Sequence, residues 1–385
     1  MLNKRIMKSR ERVLLAMNLQ KGDRVPLMCQ FSIGFMMNQL QPDPVQFWYD
    51  GKTFAEGLLT LRELFNFDGI LVSLHGHSSD WKNGLLREEH ISEGKTKLYY
   101  ADRVETHTWE DLPLVEYTEK SAKISVEDIN IDAEIPDKLD YIPVSGNLYF
   151  HLSDASLYSI FDYLEERTGG EYSIHGEITS PFDYFLDKFG YENGLMGLLL
   201  FPEKCKQILQ KYTEGVKAIA KGMCHCPIDA IKISSPFAGQ GFISTEQYQE
   251  FVQPYESQII ELIKQEGKKV YIHTCGSIGD RLELMRSSGA SGLECLDPPP
   301  VGNVDLEDAF TRIGSDMFIK GNIDSVNTLL FGSEDKIRED VGRILSIGKN
   351  KGLGFILSTA CSIAPNVPRK NVQILYELIQ KYGLY

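Results

Sequence analysis

Apolar runs bounded by Gly, Pro, Asp and Asn recur along the chain, with segments of helical periodicity between them. Eight runs read as buried strands: residues 25–32, 68–74, 172–177, 229–235, 269–275, 292–296, 317–321 and 354–359. Amphipathic stretches at 202–221, 245–266, 278–288 and 334–349 fill intervals between them. Eight strands alternating with helices predict an α/β fold, a TIM (β/α)8 barrel. A doubly wound open sheet is the other architecture for this alternation. It usually places a glycine-rich turn after its first strand, and residues 30–37 hold only Gly34.

The interval between the second and third strands is too long for one helix. Alternating charged stretches at 85–90, 97–100 and 104–109, then Leu112, Pro113 and a polar segment to Asp140, predict an antiparallel ribbon inserted at about 78–140. Residues 1–385 are otherwise read as a single barrel domain. Residues 9–22 read as a surface helix leading into the first strand.

Composition narrows the partners. A chain of 385 residues that is 42% hydrophobic can bury a large core. A formal charge of −14 argues against nucleic acid and anionic membrane, both of which need a basic footprint. A small molecule or another protein is expected, and homo-oligomerisation stays open. Seven scattered cysteines form no dense disulfide framework, which suggests a reducing cytoplasm. The basic start is followed by an apolar stretch broken by Asn18, Gln20 and Lys21, so no secretory core is read there. No window approaches the roughly 20 apolar residues of a membrane helix.

The chemistry concentrates at strand ends. His273 and Cys275 stand two apart at the end of the fifth run, so an extended chain points both side chains the same way. Cys361 follows the eighth run and comes off the same C-terminal rim. One His and two Cys are a zinc set that leaves one coordination position open, as in catalytic sites. The competing reading is a satisfied core histidine with two small buried hydrophobes. Glu294 or Cys295, at the end of the sixth run, is a candidate fourth ligand, and Glu294 is also a candidate proton handler. His75, Asn322 and Asp324 are candidate substrate-facing groups, in a polar ring with His77, Glu177, Thr179, Ser234 and Ser235 and with Phe237 and Phe242 nearby. Cys224, His225 and Cys226 look like a richer cluster. They precede the fourth strand, on the face where barrels do not place catalysis.

These residues carry a resemblance. The stretches His273-Thr-Cys275-Gly276, Gly321-Asn322-Ile323-Asp324 and Ala360-Cys361-Ser362, with the opening from Arg12 to Pro26, resemble the uroporphyrinogen decarboxylase superfamily along nearly the whole chain. The resemblance implies a TIM barrel and either of two chemistries: tetrapyrrole decarboxylation, or zinc-dependent methyl transfer in corrinoid systems. The decarboxylase branch carries an Arg-Gln-Ala-Gly-Arg turn after its first strand, whereas here Cys29, Gln30, Phe31, Ser32, Ile33 and Gly34 hold no arginine to pair with substrate carboxylates. The His-x-Cys with a later Cys resembles the zinc signature of the methyltransferase branch. That branch implies a zinc cofactor and a corrinoid carried by a separate partner protein, since no Asp-x-His-x-x-Gly motif occurs here. The long insertion, with Trp109-Glu-Asp-Leu-Pro113, looks more like components that demethylate phenyl methyl ethers than like those that methylate a thiol such as coenzyme M. A barrel that binds zinc and a corrinoid or tetrapyrrole without chemistry is the non-enzymatic alternative.

Overall fold

The computed structural model of the protein describes residues 7–119, 124–145 and 148–385. In chain order its strands are β1 (Gly69–Val72), β2 (Arg87–Ser92), β3 (Lys95–Tyr99), β4 (Arg103–Thr108), β5 (Leu114–Tyr117), β6 (Tyr141–Ser145), β7 (Leu148–His151), β8 (Ser173–Thr179), β9 (Ala230–Ser234), β10 (Lys269–Thr274), β11 (Gly292–Cys295), β12 (Phe318–Ile323) and β13 (Phe355–Thr359). Strands β1 and β8 to β13 form one parallel sheet in that order. Buried on both faces, these strands read as near-continuous apolar runs, which is why the sequence pattern exposes them.

The eighth stave is the run expected at 25–32. It is extended but makes only isolated parallel bridges, Leu27 to Leu357 and Phe31 to Ile363. On one side Leu357 N–H donates to Pro26 O at 2.9 Å and Met28 N–H to Leu357 O at 3.0 Å; on the other Asp68 N–H donates to Leu27 O at 2.7 Å. Pro26 has no N–H to give, and the Leu27 N–H goes to the Asp68 carboxylate at 2.8 Å rather than to a backbone carbonyl. These contacts close the TIM barrel. Asp68 is itself buried between Arg12 at 2.7 Å and Arg24 at 2.8 Å, which ties the N-terminal helix Ser9–Met17 to the floor.

The helix expected over 245–266 is two helices, Thr245–Phe251 and Gln253–Gln265. They meet at Val252, and Pro254, which has no N–H to carry a helix through, opens the second. Between β1 and β8 the chain builds a four-stranded antiparallel sheet, β2 to β5, and the hairpin β6–β7. Leu98 and Tyr100 pack with Val45. The Tyr49 hydroxyl donates to Glu105 at 2.6 Å and Trp109 Nε1 donates to Pro42 O at 2.5 Å, so the sheet is bolted to the segment before the helix Gly51–Phe65. The hairpin brings residues 142–145 onto the barrel mouth.

Candidate metal centre

Register sets the site. His273, the last residue but one of β10, pairs with Glu294 on β11, which pairs with Lys320 on β12. Neighbouring residues of a parallel sheet project to the same side, so three strands present an imidazole, a carboxylate and an ammonium at one level of the interior. One strand over, Lys232 on β9 pairs with Glu177 on β8. Cys275 follows β10 and enters a turn at Gly276, whose φ of 74° suits a residue without Cβ. Cys361 lies just past β13.

The structure brings His273, Cys275 and Cys361 together: their donor atoms all lie within 4.8 Å of one another. His273 Nε2 is 3.3 Å from Cys275 Sγ, which is 3.7 Å from Cys361 Sγ. His273 Nδ1 is 2.8 Å from Glu294 Oε2. A carboxylate there keeps a proton on Nδ1 and turns Nε2, the nitrogen that would lose its proton to bind a metal, toward the sulfurs. Burial lowers the imidazole's pKa and Lys232 repels its proton. Hydrogen bonds to Cys361 and Glu294 outweigh both, and His273 rises to about 9. Hydrogen bonds from Cys295 and then Cys361 hold the Cys275 thiol well below the usual thiol range, whereas sharing that proton raises Cys361. One imidazole and two sulfurs converging in this way fit a soft divalent metal with a position to spare.

Glu294 is not exposed to either cavity at this site. Burial alone would raise its pKa, yet Lys320, Lys232 and His273 hold it well below the usual carboxylate range. Its Oε1 receives the Lys320 ammonium, and Lys232 stands 3.3 Å from Oε2 while reaching Glu177 at 3.1 Å and Gln30 Oε1 at 2.6 Å. Both carboxylate oxygens are thus occupied, which places Glu294 behind the histidine. Cys295 Sγ is 3.2 Å from Asp297 Oδ2, which also accepts the Gly276 N–H at 2.7 Å; Asp297 therefore clamps the turn that carries Cys275.

Two cavities share Pro236 in their walls. One, of about 310 Å³, runs under the hairpin and is bordered by Gln30, Phe31, Glu177, Thr179, Asp183 and Phe237. The other, of about 420 Å³, reaches both cysteines and is bordered by Phe242, Asp297, Val301 and Asp324.

The remaining expected residues divide. Asp324 borders the second cavity while its carboxylate caps the turn that follows, accepting from Val326 and Asn327 N–H. Asn322 is buried and donates to Leu296 O at 3.0 Å. His75 borders neither cavity: its Nδ1 lies 3.0 Å from Leu157 O and its ring stacks on Tyr158. Glu177, Thr179 and Ser234 of the polar ring do border the first cavity. At the opposite end of the barrel, His225 Nδ1 sits 2.8 Å from Lys221 O, a helix-end contact, beside buried Cys224 and Cys226. Sequence reasoning missed Lys232, Lys320 and Asp183. Asp183 alone left a signal, because Ser180-Pro181 after a strand announces a helix start at the mouth.

A family model described as uroporphyrinogen decarboxylase (URO-D) matches residues 127–382. The methylcobamide:CoM methyltransferase MtbA of Methanosarcina acetivorans is 27% identical over 220 residues, 57% of this chain and 61% of that protein. A uroporphyrinogen decarboxylase of Prochlorococcus marinus is 28% identical over 226 residues, 57% of this chain and 62% of that protein. The match thus spans under two thirds of these relatives. A solved structure of a methyltransferase from Methanosarcina mazei superposes with a TM-score of 0.71 over 98% of this chain and 99% of that one, at 18% identity, and shares the fold.

Proposed function

Because the chain belongs to the uroporphyrinogen decarboxylase (URO-D) family, we propose that it is a zinc-dependent methyltransferase of a corrinoid system, demethylating a phenyl methyl ether and passing the methyl group to the cobalt of a partner corrinoid protein. The observation that carries this reading is the His273, Cys275 and Cys361 cluster, reached by a cavity of about 420 Å³ at the barrel mouth. When bound, zinc supplies a Lewis acid that stabilises the oxygen leaving as phenolate. His273, Cys275 and Cys361 hold it, Glu294 fixes the imidazole tautomer, and Lys320 and Lys232 keep Glu294 ionised. Phe31, Leu186 and Phe237 give the neighbouring cavity apolar walls that limit water around an aromatic ring. Several relatives are decarboxylases. An acidic tetrapyrrole, however, calls for cations, and no Lys or Arg stands among the described residues bordering the first cavity.

The activity for which the Methanosarcina acetivorans relative is named supports a second reading, in which the same site presents a thiol to a methylated corrinoid. One experiment separates the two. Purified protein and Cys361→Ala are assayed for metal, then mixed with a cobalt(I) corrinoid protein and a methoxyphenol panel while the cobalt spectrum is followed. About one zinc per chain, lost in the variant together with cobalt methylation, is the expected result. Zinc without cobalt methylation moves the reading to the thiol, and absence of zinc refutes both.

A further inference from the structure

The first cavity has a one-sided charge. Four carboxyl side chains border it, Asp111, Glu177, Asp183 and Asp187, and no Lys, Arg or His does among the described residues. Lys232 stands behind Glu177, but it is shared with Glu294 and so offsets only part of that charge. Asp183 is the group to explain. It lies in the first turn of the helix Pro181–Phe189, the residue is 5% exposed, and both carboxyl oxygens are buried without a partner among the described residues. A buried carboxyl with nothing to bind is costly unless it keeps its proton or receives a donor. Glu256, also fully buried, adds to the same local excess from behind, its Oε1 taken by Ser180 Oγ at 2.9 Å.

The remaining walls fix the shape of an occupant. Phe31, Tyr191 and Phe237 supply aromatic wall, the last two meeting edge to face with centroids 5.0 Å apart. A volume of about 310 Å³ suits a single substituted ring. We propose that this cavity selects its ligand by charge: it takes a methoxylated arene carrying a protonated amine, which Asp183 receives, and turns away the carboxylated analogue. This rests on the ether-demethylating reading above and adds the substrate class to it. An ammonium gives the unpartnered carboxyl a charge-assisted donor, while a carboxylate in the same place meets the acidic side chains of Asp111, Glu177 and Asp187 among otherwise neutral polar walls.

The test uses three near-isosteric probes, para-methoxybenzylamine, para-methoxybenzyl alcohol and para-methoxybenzoate, titrated calorimetrically into the zinc-loaded enzyme without any corrinoid protein. Methyl transfer from each is then followed separately. The amine is expected to bind about tenfold or more tightly than the benzoate, with the alcohol between them. In Asp183→Asn, which keeps the size of the side chain, that ratio is expected to fall by about tenfold. Equal or tighter binding of the benzoate by the wild-type enzyme, or no binding of the amine, overturns the proposal, as does an unchanged ratio in a folded Asp183→Asn. If the amine binds tightest yet no probe methylates cobalt, charge selection stands and the demethylase reading fails.

Discussion

Replacing Glu294 with Gln tests whether the residues behind His273 govern the metal. Lys320 is fully buried, and Glu294 is the only acid paired with it among the described residues, so the neutral amide leaves a buried ammonium without a counter-charge. Breaking a buried pair from one side costs about 3–5 kcal/mol. Lys232 suffers less because Glu177 remains 3.1 Å away. Losing the carboxylate that holds His273 Nδ1 at 2.8 Å should weaken zinc binding about 10–100-fold. Two assays read these effects apart: denaturation of metal-free protein for the first, and competition with a chromophoric chelator for the second. Lys320→Met added to Glu294→Gln removes the stranded cation, so the double variant should recover much of the lost stability while zinc affinity stays low. A Glu294→Gln protein as stable as wild type, or one that holds zinc equally well, refutes the placement of Glu294 as the support of the metal-binding imidazole. So does a double variant less stable than the single one.

Burial raises the Glu256 carboxyl to about 7, with hydrogen bonds from Ser235 and Ser180 offsetting only part of that cost. A folded-state value above the ordinary 4.5 means that stability falls as pH rises from 4.5 through about 7. Glu256→Gln should therefore remove this decline and stabilise the protein by about 2–3 kcal/mol at pH 8, measured as the difference in denaturation midpoint between pH 5 and pH 8. Gly239 faces the metal turn: a Cβ there would sit 2.7 Å from Cys275 O, a backbone atom that cannot swing aside. Gly239→Ala should lower zinc content with little change in the circular dichroism of the barrel.

The strands were legible because both of their faces are buried, and runs such as 269–275 and 354–359 need no alternation to be recognised. The convergence of His273, Cys275 and Cys361 was legible for a related reason, since Cys275 and Cys361 sit where two such runs end. What stayed hidden depends on neighbours that are distant in sequence. Lys320, in a strand, looks like any polar interruption until β11 is laid beside it and Glu294 takes up its charge. From the sequence Glu294 reads as a metal ligand or proton handler because its position near the mouth is visible and the occupation of both its oxygens is not. His75 lies away from both cavities because the segment that covers it, around Leu157 and Tyr158, arrives from beyond the insertion. The first barrel stave was found by its apolar run, but its thin bridging follows from Pro26 and from the Asp68 carboxylate, which lies 41 residues from Leu27.

The two cavities that share Pro236 in their walls bear on the order of events in turnover. A centre with room for only one reactant at a time makes its reactants take turns, so one product departs before the next reactant enters and double-reciprocal rate plots run parallel. Here one chamber is bordered by the hairpin and the other by Cys275 and Cys361, so under the proposed function a ring-sized molecule and a bulky carrier would occupy separate places. Both reactants can then be resident together, and initial-rate lines at varied carrier concentration should intersect to the left of the axis, the signature of a ternary complex.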